Sequence, residues 1–491
     1  MKKSIVIGAG IAGIATSIRL AKKGYTVEVY ESNRYPGGKL SAFSSEGYRF
    51  DAGPSLFTMP QYVDALFELC DEDPRAHFTY QKKEIGCEYF WPDGTRLTAF
   101  SDQDRFLQEV DEKLNVDPSV VKNYLARAKE KFDLTAELFL ENSLHRWGTF
   151  LTKKTIKALS RLPLFELNKS LAKVNTAQLK EPHLVQFYNR FATYNGSSPF
   201  QTPGIMTLVQ HLESEYGTFV PEGGMEQISQ SLYLLAKRQG VKFHFNQKVT
   251  EILHTKNEVT AVVVDKQKLF ADVIVSNMDI FPTYRHLLPK AKAPEKILAQ
   301  ERSSSAVIFY WGIQKQFPSL DLHNIFFSED YQAEFKAIFK EHSLYDDPTI
   351  YVNITAKDVP SDAPEGCENW FVMINTPADY GQDWEADIVS LRTKVLDKLE
   401  ARLTTSIRQH IVTEEVLTPP KIQAKTQSHL GALYGASSND KMAAFWRHPN
   451  FSREFKNLYF CGGSVHPGGG IPLCLLSAKI VSDQLAPLHD K

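Results

Sequence analysis

Apolar and polar positions follow a short-period pattern at the start of the chain. Residues 4–7 are a β-branched run, a glycine-rich turn follows, and residues 11–23 have the apolar spacing of a helix that stops at Gly24. Thr26–Tyr30 then alternates as a second strand. This order predicts a strand–helix–strand unit and therefore the beginning of a parallel sheet.

The middle of the chain has a different pattern. Residues 102–214 combine helical apolar spacing with few glycines, which predicts a largely helical insertion. Strand patterns return at residues 241–245, 249–253, 259–264, 273–276 and 458–461. Alternating Val, Ile, Phe and Tyr at residues 303–317 and 349–376 predict a second, more antiparallel sheet.

Composition narrows the function classes. The 491 residues have room for about two or three domains. A net charge of −2 without a basic or acidic tail disfavours a nucleic-acid partner. The five scattered cysteines and dispersed histidines predict neither a disulfide framework nor a metal site, and they favour a reducing cytoplasm. Met1-Lys2-Lys3 and the following apolar run are similar to a signal peptide, but glycines and Arg19 interrupt the run. No apolar run reaches the roughly 18 residues of a membrane-spanning helix.

A dinucleotide-binding motif joins the first strand to the first helix. The sequence Gly8-Ala9-Gly10-Ile11-Ala12-Gly13 has the spacing G-x-G-x-x-G. Gly8 permits the tight turn, Gly10 lets the main chain approach a pyrophosphate, and Gly13 lets helix and strand pack closely. Ala12 lies in the first turn of the helix, whose free N–H groups attract phosphate. Glu31 ends the second strand and is expected to bind a ribose. The motif alone does not distinguish NAD from FAD.

The residues that follow resemble a known superfamily. Gly37-Gly38-Lys39 and Phe50-Asp51-Ala52-Gly53-Pro54-Ser55 resemble segments of the flavoproteins that include amine oxidases and carotenoid desaturases. Residues 217–225 and the tail 457–472 extend the resemblance. It implies FAD as the cofactor. It also implies that the following residues lie along FAD: Gly38, Lys39, Pro54, Ser55, Val249, Gly463, Ser464, Gly470 and Ile471.

Other segments narrow the family. Amine oxidases usually carry an acid where Ser464 stands, which disfavours an amine oxidase. Residues 191–200, 306–312, 323–328 and 347–353 are similar to bacterial phytoene-desaturase-like carotenoid desaturases, and the tail is most similar to the 1-hydroxycarotenoid 3,4-desaturases. The resemblance implies an FAD-dependent enzyme that introduces a C=C bond into an acyclic carotenoid. A phytoene desaturase, a carotenoid oxygenase and a non-enzymatic prenyl-lipid carrier stay open as alternatives, although the intact glycine motif with Glu31 argues against the carrier.

The pattern and the resemblance together predict an α/β fold with three parts. The first is a discontinuous Rossmann-type FAD-binding domain of residues 1–75, 215–285 and 445–491. The second is a mixed-sheet substrate domain of residues 76–101 and 286–444. The third is the helical insertion of residues 102–214.

A carotenoid substrate requires an apolar tunnel. The aromatic residues of the second sheet either line it or, as we expect for most of them, belong to an ordinary core: Phe309, Tyr310, Trp311, Phe326 and Phe327. No general base is identified. His466 is a candidate for contact with substrate or flavin, or else a loop histidine bonded to the main chain, and Glu226 and Asp279 are weaker candidates.

The stretch from Arg146 to Lys173 is basic and apolar. It carries a single acid, Glu166, among lysines, arginines and interleaved Trp, Phe and Leu. Such a stretch suits an anionic membrane surface, and it suits a solvated helix face equally well. The membrane interpretation predicts a cytoplasmic protein attached peripherally to the inner membrane. The electron acceptor, quinone or oxygen, and the oligomeric state stay open.

Overall fold

The structure is a computed structural model that describes residues 2–150, 153–440 and 446–488. Its strands are β1 (Lys3–Ile7), β2 (Thr26–Tyr30), β3 (Ala42–Ser45), β4 (Tyr48–Asp51), β5 (Tyr80–Lys82), β6 (Ile85–Phe90), β7 (Arg96–Phe100), β8 (Phe219–Pro221), β9 (Lys242–His244), β10 (Val249–His254), β11 (Val259–Val264), β12 (Gln267–Phe270), β13 (Val273–Ser276), β14 (Ser305–Ile313), β15 (His323–Phe326), β16 (Ile350–Asn353), β17 (Glu368–Thr376), β18 (Ile411–Leu417) and β19 (Leu458–Phe460).

Helices connect and cover these strands. They are α1 (Ile11–Lys22), α2 (Gln61–Leu69), α3 (Gln103–Leu114), α4 (Pro118–Ala136), α5 (Lys153–Ser160), α6 (Leu171–Leu179), α7 (Pro182–Asn189), α8 (Glu226–Arg238), α9 (Ile280–Pro282), α10 (Glu295–Leu298), α11 (Tyr331–Lys336), α12 (Trp384–Leu403), α13 (Pro419–Thr426) and α14 (Ile471–Asp483). Short 3-10 and π turns join several of them.

A five-stranded parallel sheet forms the first layer. Its order is β19-β13-β1-β2-β9, and every neighbouring pair is parallel. Helix α1 packs against α14 and α8 on one face, while the antiparallel sheet β10-β11-β12 belongs to the core on the other face. Ile5 pairs with Ile274 and Glu28 at the centre, where both faces are buried. The carboxyl ends of these strands therefore meet at one edge, where such folds bind ligands.

A seven-stranded sheet forms the second layer. Its order is β18-β14-β17-β16-β15-β6-β7, antiparallel except for the parallel pair β15–β6. One face packs against α12 through Phe309, Trp311 and Trp370. The opposite face turns toward the parallel sheet and lines a large cavity. The predicted mixed α/β fold is therefore confirmed.

The stretch between β7 and β8 holds helices α3–α7 and no named strand within its described residues. These helices share an apolar core with β6 and β15, to which Tyr89, Ile325 and Phe187 contribute. Among the described helices of the chain, none is both long enough and apolar enough to cross a membrane.

Candidate functional site

A cavity of about 720 Å³ lies between the two main sheets. Its cofactor half is formed by the carboxyl edge of the parallel sheet and the glycine loops beside it. Its substrate half is formed by the open face of the seven-stranded sheet. Every predicted cofactor residue except Gly13 lines the cavity: Gly8, Gly10, Ala12, Glu31, Gly38, Lys39, Pro54, Ser55, Val249, Gly463, Ser464, Gly470 and Ile471.

Two glycine loops lie against each other in the cofactor half. The Gly37 N–H donates to the Ala9 carbonyl at 2.8 Å. A Cβ on Gly38 would lie 3.3 Å from Gly10 Cα, and Gly38 has a positive φ of 59°, so a larger residue would be crowded and strained there. The main chain is therefore exposed to the cavity on both loops, as a bound pyrophosphate requires.

Two helices begin at the cavity without a side-chain cap. Helix α1 starts after Gly10 and α14 after Gly470, and neither helix has an acidic residue in its first turn. Uncapped first turns present N–H donors and a positive dipole end. Apart from Gly470, its chain neighbours and its own helix, no atom of the described residues lies within 4 Å of the position that a Gly470 Cβ would take, so the cavity comes directly to the main chain there.

Glu31 is held in place by main-chain donors at the end of β2. Its carboxylate accepts hydrogen bonds from the N–H groups of Ala9 at 2.7 Å and Asn33 at 2.8 Å. The side chain is buried but lines the cavity. Val249, the first residue of β10, lines the same region. A fixed carboxylate beside the first glycine loop is the acceptor that a ribose needs.

Lys39 bridges the two halves of the cavity. Its Nζ donates to the carbonyl of Leu433 at 2.8 Å, which belongs to the loop after α13. Burial lowers the pKa of Lys39, against a weaker opposing effect of Asp279. An anionic cofactor group would offset this desolvation. The position of Lys39 in the cavity wall is therefore compatible with the cofactor contact that the sequence suggested.

Gly13 supports the site without lining it. A Cβ at Gly13 would collide with the Gly8 carbonyl oxygen, and the Gly13 N–H donates to the Asn277 side chain. Asn277 follows β13 and itself lines the cavity, yet the sequence analysis did not single it out. Its place directly after a predicted buried strand of the parallel sheet is the signal that could have identified it.

Ser464 and Asp279 both line the cavity and both accept hydrogen bonds from the start of α9. The Ile280 N–H donates to Ser464 Oγ at 3.0 Å. The Asp279 carboxylate accepts from the Phe281 N–H at 2.9 Å, so it caps α9. Glu226 does not line the cavity and lies 4.0 Å from Arg49.

His466 lies outside the cavity wall. It is buried, and its Nε2 is 2.9 Å from the Asn142 carbonyl oxygen, to which it donates. Burial lowers the pKa of His466 to about 4, so the imidazole is neutral at pH 7. This geometry matches the loop-histidine interpretation and gives no support to a contact with substrate or flavin.

An apolar row crosses the floor of the substrate half. Residues paired across five strands all line the cavity, in the order Leu417, Ile308, Met373, Tyr351 and Ile325. Four inter-strand spacings make this row about 19 Å long. Apart from the Tyr351 hydroxyl, its side chains are non-polar, so it can support an extended apolar ligand.

The aromatic residues proposed for a tunnel are elsewhere. Phe309, Trp311 and Phe326 face α12, Phe327 belongs to the core of the helical stretch, and the Tyr310 hydroxyl donates to the Ala52 carbonyl. None of them lines the cavity. The tunnel hypothesis for these residues is therefore wrong, and the core interpretation is correct. Alternation along β14 places Ile308, the neighbour of Phe309, on the cavity face.

Polar side chains gather beside the apolar row. We define the polar cluster as Arg190, Tyr194, Glu213, His323 and Tyr351, all of which line the cavity. Arg190 forms a 2.9 Å ion pair with Glu213, and the Tyr351 hydroxyl lies 2.7 Å from His323 Nδ1. None of the five is predicted from the sequence pattern. They come from four separate segments, and no motif spacing connects them.

Comparisons with known proteins agree with this site. A family model described as flavin containing amine oxidoreductase matches residues 11–486. A 1-hydroxycarotenoid 3,4-desaturase of Flavobacterium sp. (strain P99-3) is 54% identical over 483 residues, which cover 98% of this chain and 99% of that protein. A 4,4'-diaponeurosporene oxygenase of Staphylococcus aureus is 33% identical, with 99% of this chain and 98% of that protein covered.

Solved structures share the fold at low identity. A putrescine oxidase with bound putrescine has a TM-score of 0.64 at 13% identity, with 98% of each chain covered. An oxidoreductase from Methanosarcina mazei has a TM-score of 0.63 at 15% identity, with 98% of this chain and 100% of that chain covered. The predictions of an oxidoreductase and of FAD as its cofactor are confirmed by the family match, and the exposed glycine loops and uncapped helices fit that cofactor. The chain therefore belongs to the flavin-containing amine oxidoreductase family and, within it, to the carotenoid desaturases.

Proposed function

We propose that this protein is an FAD-dependent desaturase that introduces the 3,4 double bond into a 1-hydroxycarotenoid. The observation that carries the proposal is one continuous cavity that joins a dinucleotide-type site to an apolar row about 19 Å long. A polyene has no charged group for recognition, so it requires such an apolar surface. The 54% identical relative carries this activity in its name, which supports the choice.

The cofactor residues have separable roles in this proposal. The glycine loops and the first turns of α1 and α14 would hold the phosphates and the flavin end, and Glu31 would bind the ribose. The hydride acceptor is supplied by FAD when it is bound. The apolar row would orient the carbons that lose a hydride and a proton.

Expression in hosts that supply different carotenoids tests this proposal. A host that accumulates a 1-hydroxycarotenoid should gain a pigment that is lighter by two hydrogens and absorbs at longer wavelength. A pigment that gains oxygen instead would favour the oxygenase alternative. The Staphylococcus aureus relative, which is named an oxygenase, is the reason to test for it. An unchanged pigment profile in every host, from a protein that binds FAD, would contradict desaturation.

Flavin content tests the carrier alternative. Purified protein reconstituted with FAD should retain the flavin through gel filtration, and heat should release it into the supernatant. Retention supports an enzyme. A protein that binds carotenoid but no flavin would instead be a prenyl-lipid carrier.

We also propose the three-part division into residues 1–75, 215–285 and 445–491, residues 76–101 and 286–444, and residues 102–214. The strands of the parallel sheet come from all three segments of the first part, which supports the division. Residues 1, 151–152, 441–445 and 489–491 lie outside the described ranges.

Membrane contact is a separate proposal for the stretch from Arg146 to Lys173, on the cytoplasmic side of the inner membrane. Leu159 and Leu162 are 57% and 47% exposed, although both are large and apolar. Glu166, the single acid, accepts from the buried Lys131 at 2.8 Å, so its charge is directed inward. Arg161 pairs with Glu130 at 3.4 Å, which leaves a basic stretch that still carries a single acid of its own. Exposed leucines within a basic stretch are typical of an interfacial segment. The side chains of Trp147, Leu151, Lys153, Lys154 and Ile156 lie outside the described residues.

Liposome flotation tests the membrane proposal. Wild-type protein should float with vesicles that contain phosphatidylglycerol, and a Leu159→Ser/Leu162→Ser variant should float several-fold less. Phe270→Ser is the matched control, because Phe270 is 68% exposed on β12 and lies outside the stretch. Equal flotation of wild type, the leucine variant and a Lys153→Glu/Lys154→Glu/Lys157→Glu variant would rule the proposal out. Whether quinone or oxygen reoxidises the flavin is measured by supplying each acceptor separately.

A further inference from the structure

We infer that the polar cluster binds the hydroxyl group at carbon 1 of the substrate, and that His323 is the principal donor. This inference rests on the proposed function and names the residues that would distinguish a hydroxylated carotenoid from its deoxy counterpart. His323 and Arg190 carry the argument. They are 2% and 8% exposed, they line the cavity, and each has a polar atom without a partner among the residues that the structure describes.

A hydrogen-bond chain connects the cofactor segment to His323. Ser55, which lines the cavity and which the family resemblance assigns to the FAD contact, lies 2.8 Å from the Tyr351 hydroxyl. That hydroxyl lies 2.7 Å from His323 Nδ1. The chain places His323 next to the cofactor segment. This is the position required here, because carbon 1 is only two bonds from the reacting carbon 3.

The neighbours of His323 fix its tautomer. The Asn353 side-chain NH₂ donates to the Leu322 carbonyl at 3.0 Å, which identifies its nitrogen, and the same nitrogen lies 3.2 Å from His323 Nδ1. Nδ1 therefore accepts, and in a neutral imidazole the proton is on Nε2. Burial lowers the pKa of His323 to about 3, helped by the charge of Lys83, so the ring is neutral at pH 7.

Within the described structure, Nε2 of His323 has no hydrogen-bond partner. A buried N–H donor without a partner is unfavourable, and native proteins rarely leave one. His323 forms part of the cavity wall, so a ligand that fills this part of the cavity lies against the imidazole. A hydroxyl oxygen is an acceptor that fits a neutral N–H donor.

Two further groups complete the recognition of a hydroxyl. The Tyr194 hydroxyl and Arg190 Nε also lack partners among the described residues. Arg190 is fixed by Glu213 at 2.9 Å and by the Phe191 ring at 4.3 Å. Because Glu213 neutralises Arg190, the cluster offers donors without a net charge. Such a site fits an alcohol better than a carboxylate or a phosphate.

A substrate comparison tests this inference. Purified holoenzyme is assayed with a 1-hydroxycarotenoid and with the deoxy carotenoid of the same length and unsaturation. The wild-type kcat/KM should favour the hydroxylated compound by roughly 100-fold, because the analogue leaves buried donors unpaired. His323→Phe should lower this preference at least about 10-fold, chiefly through activity on the hydroxylated compound.

Tyr194→Phe protects the test against a folding defect. It deletes a hydroxyl that has no partner among the described residues, so it removes no protein hydrogen bond. It should lower the preference for the hydroxylated compound by a smaller factor, with normal FAD content. Tyr188→Phe is the control: Tyr188 is buried in α7 but does not line the cavity, so the preference should stay at the wild-type value.

The possible failures are distinguishable. If the ratio of kcat/KM for the hydroxylated compound to kcat/KM for the deoxy compound is the same in wild type and in both variants, the inference is overturned and the desaturase function stands. If both variants lose activity on the two compounds equally, the cluster is structural and the inference is again overturned. If the FAD-loaded wild type converts neither compound, the proposed function itself fails.

Discussion

The cofactor half of the cavity is lined largely by main chain, whereas the substrate half is lined by side chains from distant strands. Gly8, Gly10 and Gly38 present peptide groups, and two uncapped helices point at the same space. The substrate half relies on cross-strand neighbours such as Ile308 and Met373. Peptide groups recognise phosphate, which all such cofactors share, while side chains recognise one substrate. Main-chain contacts in the cofactor half therefore determine that a dinucleotide is bound, whereas side chains in the substrate half determine which substrate is bound.

The largest expected effect is in the cofactor half. Gly13→Ala places a Cβ against the Gly8 carbonyl oxygen, so the turn between β1 and α1 must shift. Overpacking of this kind costs about 1–3 kcal/mol, and the displaced turn should weaken FAD binding by roughly 100-fold. The loss of FAD is measured as flavin absorbance after reconstitution and gel filtration.

Gly240→Ala is the control for backbone strain. Gly240 has a positive φ of 82°, but apart from its chain neighbours no atom of the described residues lies within 4 Å of its Cβ position. It should lose some stability and keep its flavin. Normal flavin binding by Gly13→Ala would contradict the main-chain account of the cofactor half.

Glu31→Gln should have the next largest effect. The amide keeps the shape of the side chain but loses the charge that accepts from Ala9 and Asn33 N–H groups. Hydrogen bonds to charged groups contribute about 1.5–3 kcal/mol, which corresponds to roughly 10- to 100-fold weaker FAD binding. Titration of apoprotein with FAD measures it.

Glu28→Gln on the same strand is the matched control for Glu31. Glu28 pairs with Lys3 at 3.1 Å and does not line the cavity. Its FAD affinity should equal that of wild type. If both variants lost affinity to the same degree, Glu31 would be acting through the stability of the sheet and not at the site.

A substitution on β14 tests the substrate half, and its expected effect is smaller than those in the cofactor half. Ile308→Thr places a hydroxyl in the apolar row, where a bound polyene offers it no partner. An unsatisfied hydroxyl costs about 1–3 kcal/mol, so kcat/KM should fall roughly 10-fold while FAD binding stays normal. Val307→Thr on the opposite face is the control, because Val307 packs in the core beneath the sheet. Equal losses of activity in the two variants would contradict the assignment of faces.

The smallest effect concerns acid stability of the tail that supports the cofactor half. Burial lowers the pKa of His448 and of His466 from 6.5 to about 4. The unfolded chain therefore binds these protons first, so stability is full above pH 6.5 and is lost as the pH falls toward 4. Between pH 7 and pH 6 each histidine should lower the free energy of unfolding by roughly 0.7 kcal/mol. Denaturant melts of wild type and His466→Gln measure the difference in slope, with the exposed His77→Gln as control. An unchanged slope in His466→Gln would contradict this effect.

The sequence predicted the cofactor half well and the substrate half poorly. Thr26–Tyr30, Val259–Val264 and Val273–Ser276 have the predicted bounds, because alternating apolar residues between turn signals define short strands. The glycine loops were identifiable because local spacing carries their function. His323 and Tyr351 were not, because only the pairing of β15 with β16 brings them together. His466 attracted attention because of its motif, but burial against Asn142 turned it away from the cavity.

An oxygen-free single turnover shows whether the flavin of this protein takes the hydride from a 1-hydroxycarotenoid. FAD-loaded protein is mixed with a 1-hydroxycarotenoid in the absence of any other acceptor, and flavin absorbance and product mass are followed together. The account predicts flavin bleaching that matches, mole for mole, a product lighter by two hydrogens. Bleaching without such a product, or a carotenoid that stays unchanged beside oxidised flavin, would contradict it.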